Sequence, residues 1–255
     1  MLKITDPHRL KILHRLTIKM RSYFAIKKTF SKFQELSIIT GSRFPVLWND
    51  IFFISNENTK NTDFDAHYIY HPAWAARILA QTKPKFHIDI SSTLHFSSIV
   101  SAFIPVHFYD YRPANLFLSN LSSQKADLMS LPFQNNSVKS LSCMHTIEHV
   151  GLGRYGDPLD PDGDIKAIKE IKRVVEKDGD LLFVVPIGQP KVMFNAHRIY
   201  SYAQIKSYFC DDFRIMDFFL IPDNATTKGV IYNATEKEAD QQTYGCGCFW
   251  FKKIV

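Results

Sequence analysis

Three carboxylates carry the first chemistry that can be read from this chain. Asp89 interrupts the apolar run Phe86-His87-Ile88-Asp89-Ile90, Asp110 closes Val106-His107-Phe108-Tyr109, and Asp127 follows Lys125-Ala126. A carboxylate in a buried run is costly without a partner, and the ends of parallel strands are where open α/β sheets hold ligands. Asp110 lies 21 residues after Asp89, near the separation at which an acid receives the two hydroxyls of a nucleoside ribose. The intervening turn is Ser91-Ser92-Thr93, where glycines would allow the closest backbone approach. Its serines either bond a ligand carboxylate or obstruct the site. Asp89 and the other two acids have a plainer reading too, as turn or strand-end groups bonding the local backbone.

A second group is His145-Thr146-Ile147-Glu148-His149. It fits H-x-x-E-H, in which two histidines and a glutamate act from one helix face on zinc. The preceding residues read as a strand, and Gly151 and Gly153 stop a helix at once, so a zinc hydrolase using His145, Glu148 and His149 is the lesser reading and no metal is expected. Imidazoles titrate near neutrality, which makes His145 and His149 candidate catalytic bases. The loop that follows, GLGRYGDPLDPDGD, offers Arg154, Tyr155 and Asp157 on the substrate side. His197 and Arg198 come after the next strand and suit an anionic acceptor.

The elements that must position these groups alternate. Residues 68–81 predict a helix starting near Pro72, 86–90 a strand, 96–103 a helix and 106–109 a strand. A short helix over 113–121, a third strand at 125–128 and a fourth at 138–144 follow. Asp164 as N-cap, Ile165, Ile168, Ile171 and Val175 as a stripe, and Gly179 as the stop predict a helix over 164–177. Leu181–Ile187 is a near-continuous apolar strand, 201–209 a helix, and 213–221 and 246–254 two closing strands joined by a polar segment.

Composition limits the rest. At 255 residues and 45% hydrophobic content, the chain can bury one sizeable core and carry an extension. No apolar run of about 18 residues occurs. The four cysteines lack C-x-x-C spacing, and no secretory leader is evident, so a reduced, cytoplasmic setting is expected. Residues 1–40 hold nine basic residues against Asp6 and Glu35, a net +7, while the whole chain is +6. Leu10, Leu13, Leu16, Met20, Phe24, Phe30 and Phe33 recur there at helical steps. The arm reads as a solvated helical cap, as an attachment to an anionic membrane surface on the inner face, or as a nucleic-acid contact, the last disfavoured because its aromatics do not interleave with the basic face. Residues 1–66 form this extension and its connector, and 67–255 the main domain.

Three passages carry a resemblance: Ile88-Asp89-Ile90, ADLMSLPFQNNSVKSLSCMHTIEHV and EIKRVVEKDGDLLFVVP. In order and spacing they resemble class I S-adenosylmethionine-dependent methyltransferases. The Asp-Ile-Ser-Ser turn and GLGRYGDPLDPDGD resemble, more narrowly, an uncharacterised methyltransferase-like subfamily often linked to surface-polysaccharide (capsule) biosynthesis. The resemblance implies a seven-stranded, mostly parallel Rossmann-like sheet with its last strand antiparallel. It also implies S-adenosylmethionine as donor, S-adenosylhomocysteine as product, and a small-molecule or glycan acceptor. Asp110 and Tyr111 would then hold the ribose, and Asp127 with the backbone of Leu128 the adenine. Asp89, Ser91 and Ser92 would lie along the methionine end, and Met144 and His145 at the methyl. The competing expectation is a non-catalytic scaffold that kept this fold and lost the donor.

Overall fold

The computed structural model describes residues 7–54 and 57–255, with side chains from residue 20 onward. Backbone proximity divides the chain into two units, Met1–Asp63 and Phe64–Val255. In the first, the residues expected to be helical form one continuous helix, α1 (Pro7–Ile39). The connector turns back on it through Trp48, whose ring meets Phe30 edge-on at 5.1 Å, while Tyr23 stacks on Phe53 at 5.8 Å. Met20, Phe24 and Phe33 of the apolar stripe are exposed; its members Leu10, Leu13 and Leu16 lie outside the described side chains.

The second unit begins with α2 (Ala66–Thr82), β1 (His87–Ile90), α3 (Leu94–Val100), β2 (Val106–Asp110), β3 (Leu121–Lys125) and β4 (Val138–Met144). It continues with α4 (Gly163–Val174), β5 (Val175–Ile187), β6 (Lys191–Met193), β7 (His197–Ile199), α5 (Tyr202–Phe209) and β8 (Phe213–Ile221). It closes with α6 (Ala225–Lys228), β9 (Ile231–Tyr232), α7 (Glu236–Asp240) and β10 (Gly245–Lys253). Eight strands form one sheet in the order β3-β2-β1-β4-β5-β10-β8-β9, and β6 pairs with β7 apart from it. The strands from β3 to β5 run parallel, and β10 is antiparallel to both β5 and β8. This is a Rossmann-like, mostly parallel α/β sheet with eight strands, one more than expected, the addition being β9 at the edge.

Helices cover both faces, which explains the unbroken apolar run in β5. Leu181, Phe183 and Val185 face one core with α4 and α5, while Leu182 and Val184 face the other with α2 and α3. Among the described residues no helix is long and apolar enough to cross a membrane.

Boundaries differ from expectation for identifiable reasons. Asp65 caps α2 by accepting from the Tyr68 amide at 3.3 Å, which leaves Pro72 inside the helix. The helix expected over 113–121 is absent, and the third strand comes earlier, at Leu121–Lys125, paired with β2 from Val106↔Leu121 onward. As the sheet's outer strand it needs few apolar residues, so its Ser122-Ser123-Gln124 carries no hydrophobic signal. Helix α4 stops at Val174, ahead of Gly179, where the chain passes into β5 and Val175 pairs with Val138 of β4; the buried Lys253 ammonium donates to the carbonyls of Lys172 and Val175 there, both at 2.8 Å.

Candidate functional site

A cleft of about 180 Å³ opens beyond the carboxyl ends of the parallel strands. Ser91 follows β1, Asp110, Tyr111 and Arg112 end β2, and Ala126 to Met129 follow β3. His145 and Thr146 follow β4, and Tyr155 and Asp157 reach in from the long loop. Ser91 occupies the left-handed region at φ 54°, a conformation uncommon for a residue other than glycine, asparagine or aspartate. Its hydroxyl folds back to the Tyr109 carbonyl at 3.2 Å, so the turn leaves the cleft open. Asp110 and Asp127 each accept from an amide two residues on, Arg112 at 2.7 Å and Met129 at 2.8 Å. These bonds fix both carboxylates at the rim. The Arg112 guanidinium lies 4.5 Å from the centre of the Tyr155 ring, a cation–π contact.

A second cavity adjoins the first and shares His145 and His149 with it. Tyr68, Arg154, His197 and Tyr244 complete much of its wall. His149 Nδ1–H donates to the Ala196 carbonyl at 2.6 Å, which fixes the tautomer and leaves Nε2 as the lone-pair atom. Burial lowers the His149 pKa, against the pull of Glu148, so the ring is a neutral acceptor near pH 7. His145 is different. Its Nδ1–H donates to Glu148 at 3.0 Å and its Nε2 lies 3.3 Å from Cys246 Sγ. Burial opposes a charge there, but the net direction is upward, and the Glu148 carboxylate carries it, because burial also drives the Cys246 thiol pKa well up and keeps it uncharged. Of the two expected bases, His149 is thus the one whose Nε2 faces the cavity unprotonated, with Arg154 Nη1 3.4 Å away as a donor to it.

The remaining expected residues divide. Asp89 does not reach the cleft. It is fully buried and accepts from Ser97 Oγ and, at 2.6 Å, from Ser142 Oγ, which His87 also meets at 2.8 Å. Burial raises its pKa to about 6. Ser92 is buried beside this network, and Met144 packs in the α2–α3 core. Arg198 is no rim residue either. It donates to the carbonyls of Val150 at 2.6 Å and Pro161 at 3.1 Å and pairs with buried Asp164 at 3.5 Å, which ties the loop's ends together. Leu128, Tyr155, Asp157, Arg154 and His197 do line one cavity or the other. Asp157 spends its oxygens on the loop's own amides, at Gly151, Gly153 and Tyr155. The H-x-x-E-H helix is absent: Ile147–His149 is a single 3-10 turn, with Glu148 3.0 Å from His145 and 3.7 Å from His149.

Sequence reasoning missed Arg112, Thr146, Tyr68 and Tyr244. Arg112 had a signal, two residues past a strand-end acid. Tyr68 and Tyr244 had none, since only the fold brings α2 and the start of β10 to the end of β4.

A family profile described as "Caenorhabditis protein of unknown function, DUF268" matches residues 93–243, more than half of the chain. The chain belongs to the DUF268 family. No curated protein matches its sequence. Among solved structures, this DUF268 chain is similar to the 1,6-didemethyltoxoflavin-N1-methyltransferase of Burkholderia thailandensis. That protein was solved with bound 1,6-didemethyltoxoflavin and S-adenosylhomocysteine; it is 10% identical over 100% of this chain and 93% of its own, with a TM-score of 0.50. The N-methyltransferase NodS of Bradyrhizobium japonicum, in complex with S-adenosyl-L-homocysteine, is 9% identical over 78% of this chain and 93% of its own, with a TM-score of 0.49. At such identities the first likeness concerns the fold alone.

Proposed function

We propose that this DUF268 protein is an S-adenosylmethionine-dependent methyltransferase with a small-molecule or glycan acceptor. The observation that carries the reading is that Asp110 and Asp127, at neighbouring strand ends, line one open cleft. These residues fit the donor. Asp110 would accept from the ribose hydroxyls, and Asp127 with Leu128 would receive the adenine edge. Bound there, the donor supplies an electrophilic methyl whose transfer breaks a carbon–sulfur bond and leaves a neutral thioether.

The chain's own contribution is placement and proton removal. Holding acceptor and methyl in line at near-attack distance supplies much of the rate in such displacements. The second cavity is the acceptor side, with Arg154 and His197 suited to a phosphorylated or acidic sugar, such as a surface-polysaccharide precursor. His149 Nε2 takes the proton that an acceptor hydroxyl or amine must lose. The basic arm, which displays Met20, Phe24 and Phe33, is proposed to hold the protein at an anionic inner membrane surface, with the enzyme itself in the cytoplasm.

Isothermal calorimetry with S-adenosylmethionine and S-adenosylhomocysteine tests the reading. Saturable heat with both ligands is expected. An absence of heat and of any thermal shift would overturn it in favour of a scaffold.

A further inference from the structure

Two buried donors face each other behind the wall that the two cavities share at His145, and the proton removal proposed above uses neither. His145 Nε2 and Cys246 Sγ are 3.3 Å apart. A ring nitrogen of His67, stacked on the His145 ring at a centroid distance of 5.4 Å, completes a triangle whose corners all lie within 4.8 Å of one another. In a tetrahedral site with Zn–N near 2.0–2.1 Å and Zn–S near 2.3 Å, ligand atoms stand roughly 3.5 Å apart. One edge of the triangle already has that length, and the others need only modest contraction.

The surroundings are those of metal-ligating histidines, which turn their second nitrogen to a carbonyl or carboxylate. His145 gives its Nδ1–H to Glu148 at 3.0 Å, and His67 is held between the His145 ring and the Tyr244 ring, whose centre is 5.2 Å away. His71, one helical turn after His67 in the sequence His67-Tyr68-Ile69-Tyr70-His71, gives its Nδ1–H to the His67 carbonyl at 2.6 Å. That leaves His71 Nε2 fully buried with no hydrogen-bond partner, on a ring centred 5.0 Å from that of His145. The second oxygen of Glu148 is also buried and unpartnered. Buried polar atoms without partners are rare and call for an explanation such as a bound ion. Cys248 Sγ lies 3.8 Å from Cys246 Sγ and adds a further soft donor.

We propose that His67, His145 and Cys246 bind a zinc ion. Two imidazoles and a thiolate select a borderline-soft metal over magnesium or calcium. Three protein ligands leave a fourth tetrahedral position for water, an acceptor atom or His71. Binding displaces the thiol proton of Cys246, and the Nε2 proton of His145 where that ring is charged, to solvent. The set differs from H-x-x-E-H: it uses one histidine of that motif and two residues remote in sequence, with Glu148 as the carboxylate behind His145. It stands independently of whether the cleft takes a methyl donor.

The test is elemental analysis and cobalt spectroscopy on untagged full-length protein purified without chelator. About one zinc per chain is expected. Chelator-stripped protein titrated with Co²⁺ should develop tetrahedral d–d bands and a thiolate-to-cobalt charge-transfer band. Cys246→Ser should abolish the charge-transfer band, His67→Ala should weaken zinc binding at least tenfold, and His95→Ala, on the exposed side of α3, should change neither. Wild-type protein that retains no zinc and gives no cobalt spectrum would overturn the proposal. So would a cobalt spectrum without thiolate character. The wild-type spectrum decides the matter even if a buried variant fails to fold.

Discussion

At the scale of single residues, Asp110 is the sharpest test of the donor site. Removing a carboxylate that accepts hydrogen bonds from a ligand costs about 1.5 kcal/mol or more, so Asp110→Ala is expected to weaken S-adenosylmethionine binding by over tenfold in calorimetry. Unchanged affinity would reject Asp110 as the ribose acceptor. Asp89 makes the opposite point. Its burial was legible in the sequence, and so was its need for a partner, but the partners are Ser97 and Ser142. No spacing rule links residue 89 to residue 142; only the pairing of β1 with β4 does. Its pKa of about 6 against an ordinary 3.8 means that the folded state holds the proton more tightly than the unfolded chain. The stability this confers is complete below about pH 4 and is lost as pH rises through about 6, a total of about 3 kcal/mol at ~1.4 kcal/mol per unit. Asp89→Asn should remove that part of the slope. Urea midpoints of the two proteins at pH 4 and pH 7 check it, and an equal difference at both pH values would refute it.

At the scale of elements, the long loop between β4 and α4 is a closed structure held from behind. Gly151 has φ 79°, and a Cβ there would strike the Asp160 carbonyl, so the loop's neck admits only glycine. Arg198 completes the closure through Val150, Pro161 and Asp164. Arg198→Ala strands a buried carboxylate with only the Tyr200 hydroxyl, at 2.9 Å, for a partner. Breaking such a pair costs roughly 3 kcal/mol. Denaturant unfolding should show this loss, whereas an unchanged midpoint would return Arg198 to the acceptor side. Legibility followed burial. Strands β1, β2, β4, β5, β8 and β10, buried over much of their length, were readable as apolar runs. The polar outer strand β3 was not, nor were the small elements between β8 and β10, although Thr235 and Glu238 form a capping box whose T-x-x-E signature stood in the sequence.

At the scale of the whole molecule, charge is the organising asymmetry. Residues 1–40 carry +7 of a chain that totals +6, which leaves the rest near neutral. Each basic residue close to anionic lipid contributes about 1 kcal/mol, and apolar side chains inserted at the interface add to this. Phe24 is 62% exposed and Phe33 60%, so α1 presents rings as well as lysines. Deletion of residues 1–40 is therefore expected to cut sedimentation with phosphatidylserine-containing liposomes at least tenfold, with little effect on neutral liposomes. Added salt should mimic the deletion, because screening shortens the reach of exposed charges to about 8 Å at physiological ionic strength. Donor binding by the truncated protein should be unchanged, since every residue assigned to the cleft lies within Phe64–Val255. Equal lipid association by both proteins would reject the membrane role, and loss of donor binding on deletion would show that the first unit serves the cleft itself.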